Sequence, residues 1–224
     1  MIKTPKANIP AYLKDIYGWL YLNPKIYKIL NNAIVQNILT LGYHHILNKE
    51  VRKEISPHSH ILQVGIPLGS EINEVYSSIG MLGSLTIIDV IPELLEKCKD
   101  NHLDKRINFI HANATKPIKG EYDIIICYML LHELPPYTRA AILDNMLKAL
   151  KPSGKIIFID YHLPSSYHPL KYIIRAVNRL YQPFAETLWK KSIKDMTPNA
   201  ENCTWSQQTY FGGVYQKVVA TKSK

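Results

Sequence analysis

From His60 onward, short apolar runs alternate with segments whose apolar positions return every three to four residues. "HILQVG" reads as a strand ending in a glycine turn, and "SLTIID" (Ser84–Asp89) as a second strand. "PELLEKCKDN" follows as a helix with Pro92 near its start, where the missing N–H has no helical partner to lose. "INFIHAN" (Ile107–Asn113) predicts a third strand. "YDIIICYM" (Tyr122–Met129) predicts a fourth, apolar throughout, as a strand covered on both faces requires. A helix over "YTRAAILDNMLKALKPSG" and a fifth strand over Lys155–His162 complete the alternation, which implies βαβ units and a parallel sheet. The ending "NCTWSQQTYFGGVYQKVVATK" predicts two strands around Phe211–Gly212–Gly213.

Two stretches stand outside this alternation. Ile9 to about Glu54 reads as helical. Within it Ile26, Ile29, Leu30, Ala33, Ile34, Asn37, Ile38 and Leu41 share one face, with Pro24 in the first turn and Asn23 as N-cap. Between Tyr167 and about Lys191, Leu170, Ile173, Ile174, Val177, Leu180, Tyr181 and Phe184 recur on one face of an inserted basic helix. The pattern therefore divides the chain into an N-terminal helical extension, residues 1–55, and an α/β domain, residues 56–224.

Composition refines this picture. With 224 residues, 46% of them hydrophobic, the chain can bury one sizeable core. Cys98, Cys127 and Cys203 are widely spaced and odd in number, without CxxC or zinc-type spacing, which points to a reducing compartment. The longest apolar run, "IIICYMLL" (Ile124–Leu131), falls well short of the roughly 20 residues a membrane span needs. The N-terminus lacks the basic start and apolar stretch of a secretory signal. The net charge of +9 is partly local. Lys3, Lys6, Lys14, Lys25, Lys28, Lys49, Arg52 and Lys53 face only Asp15 and Glu50, and Lys171, Arg175, Arg179, Lys190, Lys191 and Lys194 face only Glu186 and Asp195. Such clusters fit nucleic acid, an anionic lipid surface, an acidic ligand or a plain solvated face.

Parallel sheets bind ligands beyond the carboxyl ends of their strands, so the residues there carry the candidate chemistry. In "ILQVGIPLGS" (Ile61–Ser70), Gly65 and Gly69 let backbone approach a ligand closely. Asp89, followed by Val90, closes the second strand about 20 residues on, where an acid holds ribose hydroxyls. Asn113, beside Ala114, closes the third and suits an adenine edge. Tyr128 closes the fourth strand, with His132 and Glu133 just beyond, and Asp160, Tyr161 and His162 close the fifth. Taken singly, the glycines fit a tight strand–helix connection and Asp89 a helix cap. As an ordered set they describe a cofactor pocket.

The segment from His60 to His162 resembles class I S-adenosylmethionine-dependent methyltransferases, especially the ubiquinone and menaquinone branch. That resemblance implies a Rossmann-like, seven-stranded, mostly parallel sheet with a reversed final strand. Over nearly the whole chain, "IPAYLKDIYGWLYLNP", "LLHELPPYTR", "FIDYHLPSSYHPLKY" and "TYFGGVYQKVVA" resemble the rhodoquinone biosynthesis protein family. This resemblance implies replacement of a ubiquinone methoxy group by an amino group, with S-adenosylmethionine as nitrogen donor and manganese (Mn2+) in support. It further implies peripheral contact with a membrane surface and no nucleic-acid partner. The expected location is the cytoplasmic side of a bacterial inner membrane or the matrix side of a mitochondrial one.

Two positions depart from the methyltransferase pattern: Gln63 stands where an acid is usual and Pro67 where the middle glycine is usual. Both fall where the cofactor's methionine moiety lies in such folds. Loss of a carboxylate there disfavours the ammonium form of the amine, and an attacking amine must be neutral. Methoxy replacement is addition followed by elimination, so it needs a proton acceptor and a group that polarises the quinone carbonyl. Tyr128, His132, Glu133, Asp160 and His162 are the catalytic candidates. His132, Asp160 and His162 are also candidate metal ligands, because Asp160 and His162 share one face of a strand; a hydrogen-bonded structural pair is the plain alternative. Tyr17 and Tyr43 suit either stacking on a quinone or packing, and His44–His45 either a cover or a surface pair. The helical apolar faces either lie on a membrane or pack on the sheet, with packing expected for most of their area. Other readings are a conventional quinone methyltransferase, a nucleic-acid methyltransferase and a non-catalytic binding protein. "LPPY" (Leu134–Tyr137) lacks the polar first residue of exocyclic-amine methylases and reads as a helix entry.

Overall fold

A computed structural model describes residues 9–102 and 104–224; Lys3 and Lys6 of the first basic cluster lie outside them. Seven strands form one sheet: β1 (His60–Val64), β2 (Ser84–Asp89), β3 (Ile107–His111), β4 (Tyr122–Tyr128), β5 (Leu150–Tyr161), β6 (Cys203–Tyr210) and β7 (Tyr215–Lys222). Their order is β3-β2-β1-β4-β5-β7-β6. The first five run parallel, and β7 runs antiparallel to both neighbours. This is the α/β sheet with a reversed final strand that the sequence predicts. The strand order reverses between β1 and β4, which opens a crevice at their carboxyl ends.

The helices are α1 (Ala11–Tyr21), α2 (Pro24–Leu30), α3 (Ala33–Leu39), α4 (Tyr43–Arg52), α5 (Glu71–Ser78), α6 (Pro92–Asp100), α7 (Pro136–Lys148), α8 (Lys171–Tyr181), α9 (Ala185–Leu188) and α10 (Ile193–Met196). Alternate strand residues face opposite layers. Ile61, Ile87 and Ile126 join Tyr17, Leu20, Leu47, Val51, Val75 and Leu94 on one side. Leu62, Ile125, Cys127 and Phe158 join Leu143, Met146 and Leu188 on the other. The N-terminal helices therefore share a core with the sheet. Lys217 fastens α4 to it by donating to Glu50 at 2.9 Å and Glu54 at 3.1 Å.

Several boundaries move. The helix expected from Pro24 to Leu41 is two helices, because the Asn32 side chain accepts from Ile34 and Val35 N–H and so caps a new one. Asn23 caps α2 as predicted. The inserted helix stops at Tyr181, before Gln182–Pro183, since proline offers no N–H to continue it. The fifth strand begins earlier, at Leu150, beyond a register shift opposite Tyr122/Ile124. "LPPY" does enter a helix, with Pro136 in its first turn. The larger correction concerns apolar faces. Tyr172, Ile173, Val177, Leu180 and Tyr181 of α8 are exposed, and α3 has no buried residue at all. Of the α8 face, Ile174 packs against the core, while these residues and α3 stay outside it.

Candidate functional site

A cavity of about 250 Å³ lies at the carboxyl ends of the parallel strands, beneath α1–α3. Its floor is the turn after β1. Gly65 (φ +79°) and Gly69 (φ +98°) adopt left-handed backbone that favours glycine. A Cβ on Gly69 would meet the His44 ring at 2.5 Å, so the loop and α4 fit only with glycine there. His44 Nε2 accepts from Ser70 N–H at 3.3 Å, and Asn31 Oδ1 accepts from Gly69 N–H at 3.0 Å. Burial holds the His44 pKa below its ordinary value, in keeping with a neutral acceptor. His44 lines the cavity while His45 is exposed, so the pair divides between the two roles considered for it.

Asp89, Val90, Asn113 and Ala114 all line the cavity, as the cofactor reading expects. Asp89 Oδ2 accepts from Ile66 N–H and Oδ1 from Ile91 N–H, both at 2.8 Å. Burial pushes its pKa up to about 6 despite these donors. Hydroxyl donors from a ribose would favour the ionised form further. Asn113 Oδ1 accepts from Thr115 N–H at 3.0 Å and its hydroxyl at 2.8 Å, which fixes the amide plane.

The two altered positions are placed differently. Pro67 lines the cavity, whereas Gln63 is buried just before the lining residues Val64 and Gly65. Gln63 Nε2 donates to Gly65 O at 3.2 Å, and its Oε1 is buried without a donor. An unfilled buried acceptor beside a ligand cavity fits a ligand N–H. S-adenosylmethionine fits the residues present: the Asp89 carboxylate, the Asn113 amide and the Gly65–Leu68 turn all border one cavity, with Gln63 buried behind that turn. Sequence reasoning missed Glu71, which follows this turn. It is buried with both oxygens unpartnered, and burial, then the charge of Glu74, pushes it up to about 8. The upward shift favours its neutral form.

The opposite wall carries acid–base groups. Asp160 is wholly buried and accepts from Leu131 N–H (2.7 Å), His132 N–H (3.3 Å), Tyr161 N–H (2.7 Å) and His132 Nδ1 (2.8 Å). It thus fixes the 3-10 turn Leu131–Glu133 that carries His132 and Glu133 to the cavity. Burial opposes charge on His132, but the Asp160 carboxylate outweighs it and the net shift is upward. Glu133 Oε1 accepts from Tyr21 O–H at 2.6 Å. Burial pushes Glu133 up to about 7, opposed by His132 and the Tyr21 hydroxyl. Tyr128 lines the cavity, and Met129 beside it adopts φ +49°, a strained value for a side-chain-bearing residue at the crevice. Tyr12 and Tyr21 line the cavity, whereas Tyr17 and Tyr43 pack against Tyr21 and Phe211. Arg139, also missed, donates to Leu131 O at 2.8 Å and Phe184 O at 2.6 Å and so clasps the 3-10 turn to α9.

His162 is not brought to this group. Its Nδ1 meets Gly213 O at 3.0 Å and its N–H donates to Val214 O, so it anchors the C-terminal hairpin. Among the described residues no three His, Cys, Asp or Glu side chains converge as a metal site requires. Both Asp160 oxygens are already committed to N–H donors, so the expected His132, Asp160 and His162 set does not fit manganese.

Residues 61–154 match the family described as "Methyltransferase domain". The chain is 31% identical over 122 residues to a highly reducing polyketide synthase of Leptosphaeria maculans, a match covering 46% of this chain and 5% of that protein. It is 25% identical over 142 residues to the ubiquinone/menaquinone biosynthesis C-methyltransferase UbiE of Ectopseudomonas mendocina, covering 59% of this chain and 54% of the relative. The crystal structure of the N-methyltransferase NodS from Bradyrhizobium japonicum, in complex with S-adenosyl-L-homocysteine, aligns with a TM-score of 0.64 at 15% identity, over 96% of this chain and 100% of that one. The chain thus has the class I S-adenosylmethionine-dependent methyltransferase fold, and its residues 61–154 match the methyltransferase-domain family.

Proposed function

We propose that this protein is an S-adenosylmethionine-dependent enzyme that acts on a quinone ring, replacing a methoxy group of ubiquinone by an amino group. The observation that carries the reading is the buried, donor-free Oε1 of Gln63 beside the cofactor turn. A neutral amide accepts an N–H without holding the amine in its ammonium form, which a carboxylate at the same position would do.

When bound, S-adenosylmethionine would supply the transferred nitrogen: a ring C–N bond forms as the ring C–OCH3 bond breaks, and the aminoquinone is freed when the N–Cα bond breaks by elimination with a Cβ proton, leaving an unsaturated sulfonium acid. Glu133 takes the proton released as nitrogen adds to the ring and returns it to the departing methanol oxygen. A pKa of about 7 suits both directions of transfer. Tyr21 orients that carboxyl, while Asp160 and Arg139 hold the turn that carries it. Asp160 also holds His132 by its Nδ1, so Nε2 is the nitrogen available to the ring carbonyl. The apolar walls, among them Leu20, Leu134 and Ile142, exclude water.

A second reading, methyl transfer to a quinone or its precursor, is favoured by the similarity to a quinone C-methyltransferase. Incubation with S-adenosylmethionine and a short-chain ubiquinone, with and without manganese, separates the two. The account expects an aminoquinone and methanol. A ring-methylated product and S-adenosylhomocysteine would replace it with the second reading.

A further inference from the structure

We infer that α1–α3 and α8 form a docking surface for an anionic lipid bilayer, and that the cavity opens through this surface. The exposed large apolar residues are concentrated there. Ile34 and Ile38 of α3 are 71% and 67% exposed, and Ile29, Leu39 and Leu41 flank them. The α3 helix has neither a buried nor a charged residue, so core packing does not account for Ile34 and Ile38. On α8, Ile173, Val177 and Leu180 recur at helical spacing on an exposed stripe. Arg175 and Arg179 lie on the opposite flank, where they reach Glu186 at 3.7 and 3.0 Å.

The two regions form one continuous face. Trp19 of α1 meets Tyr181 of α8 with ring centroids 5.9 Å apart. Trp19, Leu39 and Tyr181 are each exposed and each line the cavity, so the mouth of the site lies within the apolar patch. Aromatic rings at such a rim suit the headgroup layer, where one end is apolar and the other wet.

Charge selects the occupant. Helices α1–α3 carry Lys14, Lys25 and Lys28 against Asp15 alone, and Lys25 and Lys28 are exposed on α2 with Ile29. A second copy meeting this face would set cations against cations, which disfavours self-association. An anionic lipid surface complements them and accepts the apolar side chains as well.

Sedimentation of the full chain with vesicles tests this without any turnover, so its failure leaves the proposed reaction standing. Vesicles of phosphatidylcholine alone are compared with vesicles containing phosphatidylglycerol. Binding should favour the anionic vesicles by about tenfold or more and weaken in high salt. Ile38→Glu with Leu180→Glu, and separately Lys25→Glu with Lys28→Glu, should each lower partitioning by about tenfold or more. None of these four residues lines the cavity, and melting curves confirm that the variants fold. No binding to either vesicle, or equal binding to both, overturns the inference. So does a lipid-free dimer that the same apolar substitutions split.

Discussion

The two ends of the cavity are built differently. At the cofactor end, each side chain stands at the carboxyl end of a parallel strand and is fixed by short backbone contacts, as Asp89 is by Ile66 and Ile91 N–H. At the cover, α1–α3 lay a largely apolar surface, with Lys14, Lys25 and Lys28 against Asp15, over the same cavity and leave much of it exposed. Between them sits the 3-10 turn Leu131–Glu133, tied to the sheet by Asp160 and to the cover by the Tyr21–Glu133 hydrogen bond. The contrast teaches a division of labour. The sheet end keeps the strand-end residues in place, and the proposed reaction rests on Gln63, Glu133 and the cover.

The largest expected effect falls on the joint between the two ends. Glu133→Gln should lower turnover by about 10²–10⁴-fold while cofactor binding, measured calorimetrically, stays within twofold or so. Because the ionised form is the acceptor, turnover of the unmodified protein should rise as pH increases through about 7, and Glu133→Gln should remove that rise. An unchanged pH profile in the variant would detach the proton transfer from this residue.

Next in size is the support beneath the turn. Asp160→Asn leaves four N–H groups competing for one amide oxygen, and should destabilise by about 3 kcal/mol in a denaturant titration. Gln63→Glu with Pro67→Gly tests the altered cofactor end. It should tighten cofactor binding, through a charge opposite the ammonium, and depress nitrogen transfer by about tenfold or more. Equal nitrogen transfer in that double variant would make the altered turn irrelevant to the reaction.

Smaller effects separate buried from exposed positions. The Glu71 pKa is raised above its unfolded value, so its contribution to stability is full below the unfolded pKa near 4.5 and is lost as pH rises toward 8. Glu71→Gln should therefore flatten the decline of melting temperature across that window. Ile34→Asn on α3 should change stability by no more than about 0.5 kcal/mol, since its side chain is already in contact with solvent.

Much of the sheet end was legible in the sequence because strand-end chemistry is local. Alternation located the parallel strands, and Asp89, Asn113 and the glycine turn follow from their position on them. The cover was less legible. A shared apolar face across Ile26–Leu41 hid the break at Asn32, because periodicity reports a face and not the cap that interrupts it. Amphipathicity also does not say what a face touches, so the exposure of α3 and α8 emerged only in three dimensions. Strand alternation put Asp160 and His162 on one face, yet His162 turns to the Gly213 carbonyl and Asp160 to backbone N–H groups 29 residues upstream. Arg139 and Tyr21 act through contacts 45 and 112 residues away along the chain, which spacing cannot encode. Glu71 did leave a signal, an acid directly after the cofactor turn, but at a helix start it also reads as ordinary complementarity to the helix dipole.

The central claim is that the cofactor's nitrogen, and not its methyl group, reaches the quinone. S-adenosylmethionine carrying one isotope in its amine and another in its methyl group, incubated with the protein and short-chain ubiquinone, tests it in a single mass spectrum. The account predicts a quinone product that holds the nitrogen label and lacks the methyl label. A product that holds the methyl label and no labelled nitrogen would contradict it.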